Sequence, residues 1–410
     1  MNKYSSYHET DCDWIGKIPS SWRLVRGRFL FRPKKEINRD MQCENLLSLT
    51  YDGVLNKNFS GFEGLRPENY NTYQIFQKDN LVFKMIDLEN VKTSRVGIVH
   101  EKGIMSSAYI RFEAIKTKIE PKFAYWFYYD LYKKEIYNSI GSGVRSTLSS
   151  SDLLEMELPV PQLEEQKLIS HYLDKKTDQI DRLVEKIQKK IELLKEKRTS
   201  LINQCITKGL DLTVEMKDSS VEWIGETPSH WMVKKVKYLG LIKSGEGITA
   251  TDLLDVGDYK VYGGNGIVGF FNKFNVKNTV IVIGRVGEKC GNVHLVKERS
   301  WVSDNSLILE LYDPEYYDWT SLALGSRDLN KIRNQSSQPL ITGTQVKNES
   351  IPFPPKNELT KISTFIQTSN SRFSDLIEKQ IKRIELLREY RQSLISSAVT
   401  GKVHVTENML

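Results

Sequence analysis

Asp13-Trp14-Ile15-Gly16-Lys17-Ile18-Pro19-Ser20-Ser21-Trp22 returns later in the chain as Glu222-Trp223-Ile224-Gly225-Glu226-Thr227-Pro228-Ser229-His230-Trp231. Both copies keep two tryptophans, an Ile-Gly pair and a Pro-Ser pair, a combination too rare to arise by chance. Repetition at a long period indicates a duplicated architecture. We interpret the motif as a packing element that begins each half of the chain rather than as a contact surface.

A second block repeats with an offset of 193 positions. It begins at Leu158-Pro159-Val160-Pro161, which is matched by Ile351-Pro352-Phe353-Pro354. The same offset relates Ile191-Glu192-Leu193-Leu194 to Ile384-Glu385-Leu386-Leu387. Each copy ends in a stretch typical of a helix C-terminus, Thr207-Lys208-Gly209 and Thr400-Gly401-Lys402.

Both copies of this block predict a long helix, because apolar residues recur in alternating steps of four and three. The positions of this heptad seam are Ile180, Val184, Ile187, Ile191, Leu194, Arg198, Leu201 and Cys205 in the first copy, and Phe373, Ile377, Gln380, Ile384, Leu387, Arg391, Leu394 and Ala398 in the second. We expect the two helices to pair antiparallel within the chain, with the polar seam positions lowering stability but fixing register. The alternative is two amphipathic helices, each packed on its own domain.

The segments between the repeats carry aromatic and β-branched runs broken by Gly, Asn and Asp, which are strand and turn signals. The predicted fold class is therefore α+β, with two β-rich domains separated by two long helices that form an antiparallel intramolecular coiled coil with pseudo-two-fold symmetry. The predicted boundaries are 1–160 for the first domain, 161–208 for the first helical spacer, 209–353 for the second domain and 354–410 for the second spacer.

Composition excludes several classes of protein. A chain of 410 residues with 39% hydrophobic and 27% charged residues is typical of a soluble globular protein. Its 59 basic and 52 acidic residues favour an anionic partner only weakly. The four cysteines are too scattered for a zinc site. No signal peptide and no run of about 18 apolar residues is present, so we expect a cytoplasmic protein without membrane contact.

Taken together, these motifs resemble the specificity subunit of type I restriction–modification systems over essentially the whole chain. The resemblance rests on the Trp-Ile-Gly motif, the Pro-x-Pro followed by Glu164-Glu165-Gln166, and the Ile-Glu-Leu-Leu helix. It also rests on Tyr262-Gly263-Gly264-Asn265-Gly266 with Ile283-Gly284-Arg285-Val286-Gly287. One departure is Asn357-Glu358-Leu359, which lacks the Glu-Glu-Gln of the first copy and puts the local packing there in doubt.

The resemblance implies that each β-rich domain is a target-recognition domain that reads one half of a bipartite site in double-stranded DNA. It also implies two methyltransferase (modification) subunits and restriction subunits that translocate and cut. S-adenosylmethionine, ATP and Mg²⁺ would then belong to those partners, and this chain would hold no cofactor and no metal.

The chain's own residues predict no catalysis. An adenine methyltransferase needs an Asn/Asp-Pro-Pro-aromatic motif, and the nearest string, Pro352-Phe353-Pro354-Pro355-Lys356, has the wrong order. No phosphate-cradling GxxxxGK[ST] motif and no credible nuclease motif is present. We therefore expect a non-catalytic DNA-binding subunit. The alternative from another class is a coiled-coil adaptor that binds proteins and never touches DNA.

Candidate DNA contacts in the second domain lie where strands give way to glycine-rich turns. Arg285 follows an apolar strand and is suited to guanine or phosphate, although a solvated hairpin tip is the alternative. Its predicted companions are Asn265, Lys289 and Asn305.

In the first domain we take Lys84 as the counterpart of Arg285, because it also follows an apolar strand. Further candidates are Arg95, Ser107 and Tyr109, of which Tyr109 could equally be a core residue. Arg145 and Gln338 occupy matched loops at the 193-residue offset. Either they face DNA or they cap the helix that follows.

Overall fold

The computed structural model describes residues 3–56, 70–88, 93–141, 147–334 and 339–410. The chain folds into two compact units, residues 1–187 with 381–410 and residues 188–380. Each of the two longest helices contributes one half to each unit.

The first unit contains twelve described strands, three short helices and the beginning of a long one. The strands are β1 (Tyr7–Glu9), β2 (Lys17–Pro19), β3 (Arg23–Arg26), β4 (Phe31–Pro33), β5 (Leu47–Thr50), β6 (Gly53–Asn56), β7 (Gln74–Phe76), β8 (Leu81–Phe83), β9 (Val96–Ile98), β10 (Gly103–Met105), β11 (Ile110–Ala114) and β12 (Glu157–Val160). The helices are α1 (Pro121–Lys133), α2 (Ile136–Ile140), α3 (Ser150–Glu155) and α4 (Leu163–Lys208).

The second unit follows a similar order, with eleven described strands and two short helices. Its strands are β13 (Met216–Asp218), β14 (Glu226–Pro228), β15 (Met232–Lys235), β16 (Gly240–Ser244), β17 (Tyr259–Gly263), β18 (Gly266–Phe271), β19 (Val280–Gly284), β20 (Val293–Val296), β21 (Ser300–Val302), β22 (Ser306–Leu311) and β23 (Ser350–Phe353). Its helices are α5 (Tyr317–Ser326), α6 (Gly343–Asn348) and α7 (Lys356–Val399).

A four-stranded antiparallel sheet lies at the centre of each unit. The first sheet has the order β4-β11-β8-β9 and the second has the order β16-β22-β19-β20. The registers agree residue by residue, because Phe83 pairs with Ile110 and Val96, and Ile283 pairs with Leu307 and Val293. The buried strands β8 and β19 therefore occupy the same place in the two sheets.

The repeated Trp-Ile-Gly motif packs against the beginning of a long helix in each unit. Trp22 donates from Nε1 to Glu165 at 3.3 Å, and Trp231 donates from Nε1 to Glu358 at 3.0 Å. Both indole rings are almost fully buried. The motif is thus a packing element, and the carboxylate it needs survives in Asn357-Glu358-Leu359.

The second copy has Asn357-Glu358-Leu359 where the first has Glu164-Glu165-Gln166, and this difference also changes the packing. Gln166 is buried and binds the Glu120 backbone N–H at 2.7 Å and the Pro161 carbonyl at 2.9 Å. Its counterpart Leu359 is 6% exposed and joins the apolar core of the second unit.

The long helices α4 and α7 have 46 and 44 residues. The first half of α4 shares a unit with the second half of α7, and the second half of α4 shares a unit with the first half of α7. The helices are therefore antiparallel, and every predicted seam position is buried or half-buried. This confirms the antiparallel coiled coil.

Both helices end at the predicted breakers. Gly209 follows α4 with φ +75°, and Gly401 lies just beyond α7 with φ +70°. In this left-handed region glycine has no Cβ penalty, which makes it the preferred residue after a helix. At Gly401 a Cβ would lie 2.3 Å from the ring of Pro19, so the close packing also requires glycine.

One predicted register residue, Arg391, forms a set of polar contacts on α7 in the first unit. Its guanidinium binds both carboxylate oxygens of Asp181 at 3.0 to 3.3 Å and lies over the rings of Trp126 and Tyr129 at 5.9 and 5.8 Å. The residue matched to Asp181 is Ser374, so the matched Arg198 has no equivalent acid.

No helix in the described part of the chain is long and apolar enough to cross a membrane.

Candidate nucleic-acid interface

In the second unit the predicted contact residues gather at one end of the sheet, where β19 finishes. We call this end of each sheet, where β8 or β19 finishes, its polar end. The backbone N–H of Arg285 donates to the carbonyl of Asn305 at 2.9 Å, and that of Gly284 donates to Asn292 at 2.9 Å. Strand pairing therefore brings residues distant in sequence to the polar end.

The turn between β17 and β18 lies directly on this end. A Cβ on Gly284 would lie 2.0 Å from the Gly264 carbonyl oxygen, so only glycine permits the approach. The turn exposes Asn265, whose side-chain oxygen accepts a hydrogen bond from Nδ2 of Asn292 at 2.6 Å. Three predicted residues, Asn265, Arg285 and Asn305, are thus brought together.

Lys289 lies in the loop between β19 and β20. Its side chain is exposed, and its carbonyl accepts a hydrogen bond from the Asn292 backbone at 3.4 Å. A flexible exposed ammonium beside a polar surface is suited to a phosphate contact.

The side chain of Arg285 is held rather than free. Its Nη1 donates to the hydroxyl of Ser244 at 3.2 Å. Its Nε is buried and has no hydrogen-bond partner among the described residues. Arg285 as a whole is half-exposed, so its solvent-exposed atoms are atoms other than Nε.

The polar end of the first sheet shows that one of our sequence matches was wrong by one residue. Met85 accepts from the Leu148 N–H at 3.0 Å, just as Arg285 accepts from the Ile341 N–H at 2.9 Å. The counterpart of Arg285 is therefore the buried Met85, and Lys84 corresponds to Gly284. Both strands end in apolar residues, so the sequence offered no anchor for the register.

The remaining candidates of the first unit lie near the same end. Lys84 is half-buried and its ammonium contacts the Thr93 hydroxyl at 3.3 Å. Tyr109 precedes β11, opposite Lys84 by continuation of the register, and Ser107 is exposed in the turn before it. Tyr109 packs against an apolar cluster around Leu47 and Phe76, and burial raises the pKa of its phenol.

Arg95 is not a surface residue, and we withdraw it from the contact set. It is 1% exposed, and its guanidinium donates to the carbonyls of Ile86 at 3.1 Å and Asp87 at 2.7 Å. These bonds hold the loop after β8, because a buried guanidinium must satisfy its donors within the protein.

Two further predicted contacts, Arg145 and Gln338, lie outside the described residues. Two polar residues of the second sheet's end, Ser244 and Asn292, were not predicted. Their contacts join strands that are far apart in sequence, and one sequence carries no pairing information that could have indicated them.

The fold and this interface define a class of protein: a duplicated recognition chain, with two matched sheets that present unlike polar residues and are carried on a pair of antiparallel helices. The chain belongs to the family of the type I restriction modification DNA specificity domain, whose profile matches residues 56–193 and 228–386. It is a non-catalytic DNA sequence-recognition subunit of a type I restriction–modification system. The protein-adaptor alternative is thereby set aside.

Known proteins similar to the chain agree along its length. The type I restriction enzyme MjaVIII specificity subunit of Methanocaldococcus jannaschii is 24% identical over 95% of this chain and 94% of its own length. The putative MjaX specificity subunit of the same organism is 23% identical over 71% of this chain and 70% of its own length.

Two solved structures share the fold. A chain from a type I restriction–modification system aligns with a TM-score of 0.73 at 12% identity, covering 94% of this chain and 99% of its own. The HsdS subunit from Thermoanaerobacter tengcongensis aligns with a TM-score of 0.53 at 15% identity, covering 94% and 98%.

Proposed function

We propose that the chain reads a bipartite site in double-stranded DNA, each β-rich domain recognising one half through the polar end of its sheet. The observation that carries this proposal is the matched backbone at the two ends, with Met85 and Arg285 at the same position. A shared scaffold with unlike side chains is what two different half-sites require, because side chains at base edges determine sequence.

The proposed contacts divide by chemistry. In the second domain, Arg285, Asn265 and Asn305 can bind base edges and Lys289 can bind phosphate. In the first domain, Lys84, Ser107 and Tyr109 remain the proposed contacts. We take residues 1–160 and 209–353 as the two recognition domains.

The coiled coil sets the distance between the half-sites in this proposal. A helix of 46 residues is about 69 Å long at about 1.5 Å per residue. Because the two helices support each other over their length, they would act as a rigid spacer rather than as a flexible linker.

Two modification subunits are the proposed first partners, one beside each domain. The duplicated Trp22–Glu165 and Trp231–Glu358 contacts are buried packing contacts that repeat the framework, and a repeated framework suits two copies of one partner. Methylation and cleavage would reside in the modification and restriction subunits, which would also bind S-adenosylmethionine, ATP and Mg²⁺.

Sequencing the methylated bases of the source cell, with and without the gene for this chain, tests the proposal. We expect one split motif to lose methylation when the chain is absent. Exchanging the second domain, residues 209–353, for that of a relative should then change only one half of the motif.

Control strains carry the chain with the first domain exchanged, and the other half of the motif should change in them. A motif that is continuous, or that changes in both halves after either exchange, would contradict the proposal.

The spacer is tested by adding one heptad, seven residues, to α4 and to α7 at matched positions. Each helix grows by about 10 Å, so the preferred spacer should lengthen by up to about three base pairs. An unchanged spacer would show that the helices do not set the distance.

A further inference from the structure

We infer that Arg285 reads a guanine in the half-site bound by the second domain, and that Ser244 is the residue that positions it. This inference rests on the proposed function, since it names one base of the site that the second domain would read.

The first argument is geometric. Arg285 is the first residue beyond the buried strand β19, and its backbone is fixed on both sides, by the Asn305 carbonyl at 2.9 Å and by the Ile341 N–H at 2.9 Å. A side chain on such a rigid base loses little conformational freedom on binding, which favours a specific contact.

The second argument concerns the guanidinium itself. The Ser244 hydroxyl accepts from Nη1 at 3.2 Å, and Nε is buried. The hydrogens left for a ligand are therefore those on the two terminal nitrogens. Two parallel N–H groups match the O6 and N7 acceptors that guanine presents in the major groove.

The neighbouring charges favour a base over a phosphate. The turn that carries Asn305, which is hydrogen-bonded to the Arg285 backbone, also carries the exposed Asp304, and the carboxylate of Asp304 disfavours a phosphate at Arg285. The amides of Asn265 and Asn305 are groups that pair with base edges. Lys289, which is exposed and flexible, is better placed to contact phosphate.

The first domain cannot use this position in the same way. Its counterpart residue, Met85, is 1% exposed and has no hydrogen-bond donor in its side chain. A guanine read from this position should therefore occur in only one half-site.

The experiment uses the whole chain assembled with its modification subunits, and duplexes that carry the motif found by methylome sequencing. Each guanine of the second half-site is replaced in turn by 7-deazaguanine, which removes N7 but keeps base pairing. We expect one position to weaken binding, by less than the about 5- to 150-fold that corresponds to loss of a whole bidentate contact, because O6 remains as an acceptor.

The variant Arg285→Ala loses both hydrogen bonds, so it should weaken binding to the natural duplex by about 5- to 150-fold. It should also abolish the response to 7-deazaguanine at that position. Arg285→Lys should recover only part, because an ammonium cannot form two parallel bonds. Ser244→Ala should weaken binding less, and only where that guanine is present.

The matched control is Lys243→Ala, which removes an exposed cation on the same strand as Ser244 and should not change the response to 7-deazaguanine. Urea unfolding of each variant checks that the fold is intact, and Arg285→Lys replaces Arg285→Ala if the latter does not fold.

Three outcomes overturn the inference. They are a half-site without guanine on either strand, an unchanged response to 7-deazaguanine in Arg285→Ala, and an equal loss on all sequences, which would identify a phosphate contact. Each leaves the proposed function standing, whereas the absence of any sequence-specific binding by the unmodified chain would overturn the proposed function.

Discussion

At the end of β8 in the first unit lies Met85, and at the matched end of β19 in the second unit lies Arg285. The hydrogen bonds to their carbonyls are equivalent, yet one side chain is buried in the core and the other is held at the surface by Ser244. The backbone has been kept while the side chain that can reach a ligand has been replaced. This separation of scaffold from contact lets one fold serve two different half-sites.

Away from the polar ends, the two units instead share several packing contacts. Helices α3 and α6 both begin with a capping box, at Ser149 and Thr342, in which the side chain and the third residue of the helix satisfy each other's backbone N–H. Tryptophan binds the matched glutamate in both units. Such positions stabilise the fold, so substitutions at matched sites should have matched effects.

The largest expected effect tests whether the two tryptophans are equivalent in the two units. Trp22→Ala and Trp231→Ala each remove an indole that is at most 2% exposed, and each should lower the free energy of unfolding of its own unit by about 3 to 5 kcal/mol. Urea unfolding of the two variants measures this. Trp301→Ala, at a half-buried ring, is the control and should cost clearly less.

A large loss in only one of the two tryptophan variants would mean that the two units do not share one framework.

The long helices and their ends were predictable because the sequence signals for them occur in two copies. Copies at an offset of 193 residues gave the helices, the seam and the helix ends, and a buried position must stay apolar whatever the DNA sequence. The polar ends lack this redundancy. Lys84 was matched to Arg285 wrongly because the register across β8 and β9 is a property of pairing that no local pattern specifies.

Arg95 shows the same limit. A lone arginine after a polar segment that contains an asparagine looks like a surface cation. Only the folded chain shows that the carbonyls of Ile86 and Asp87 converge on it. Buried arginines are rare, so composition cannot reveal one.

A second, smaller effect compares two matched arginines on the long helices, Arg391 on α7 and Arg198 on α4. Arg391→Ala removes three contacts with Asp181 and two aromatic neighbours, and should lower the free energy of unfolding by about 1 to 2 kcal/mol. Arg198→Ala, at the matched position, should change it by less than about 0.5 kcal/mol.

A double-mutant cycle of Arg391→Ala with Asp181→Ala measures the coupling between the two groups directly. Because Asp181 is more than half exposed, much of its attraction is screened, and a coupling near zero would assign the loss to packing on Trp126 and Tyr129 instead.

The smallest effect concerns His294, which lies on β20 in the second unit where the first unit has Gly97. Its ring packs under the turn that carries Asn265, since a Cβ on Gly266 would lie 3.3 Å from its Cε1. Burial lowers the pKa of this imidazole below its usual value of 6.5. The unfolded chain therefore binds a proton that the folded chain excludes.

The sign of the pH dependence follows from this difference. The stability contributed by neutral His294 is present above about pH 6.5 and is lost as the pH falls through that value, with a slope of at most about 1.4 kcal/mol per pH unit. His294→Asn should remove this part of the pH dependence, measured as the difference between its urea midpoints and those of the unmodified chain from pH 5 to 8. The difference should be constant above about pH 7 and should change only below, because the other histidines are common to both proteins. A difference in urea midpoint that stays constant over the whole pH range would show that the turn above His294 admits the protonated ring. Since Gly97 cannot titrate, the second unit would then be no more sensitive to acid at this position than the first.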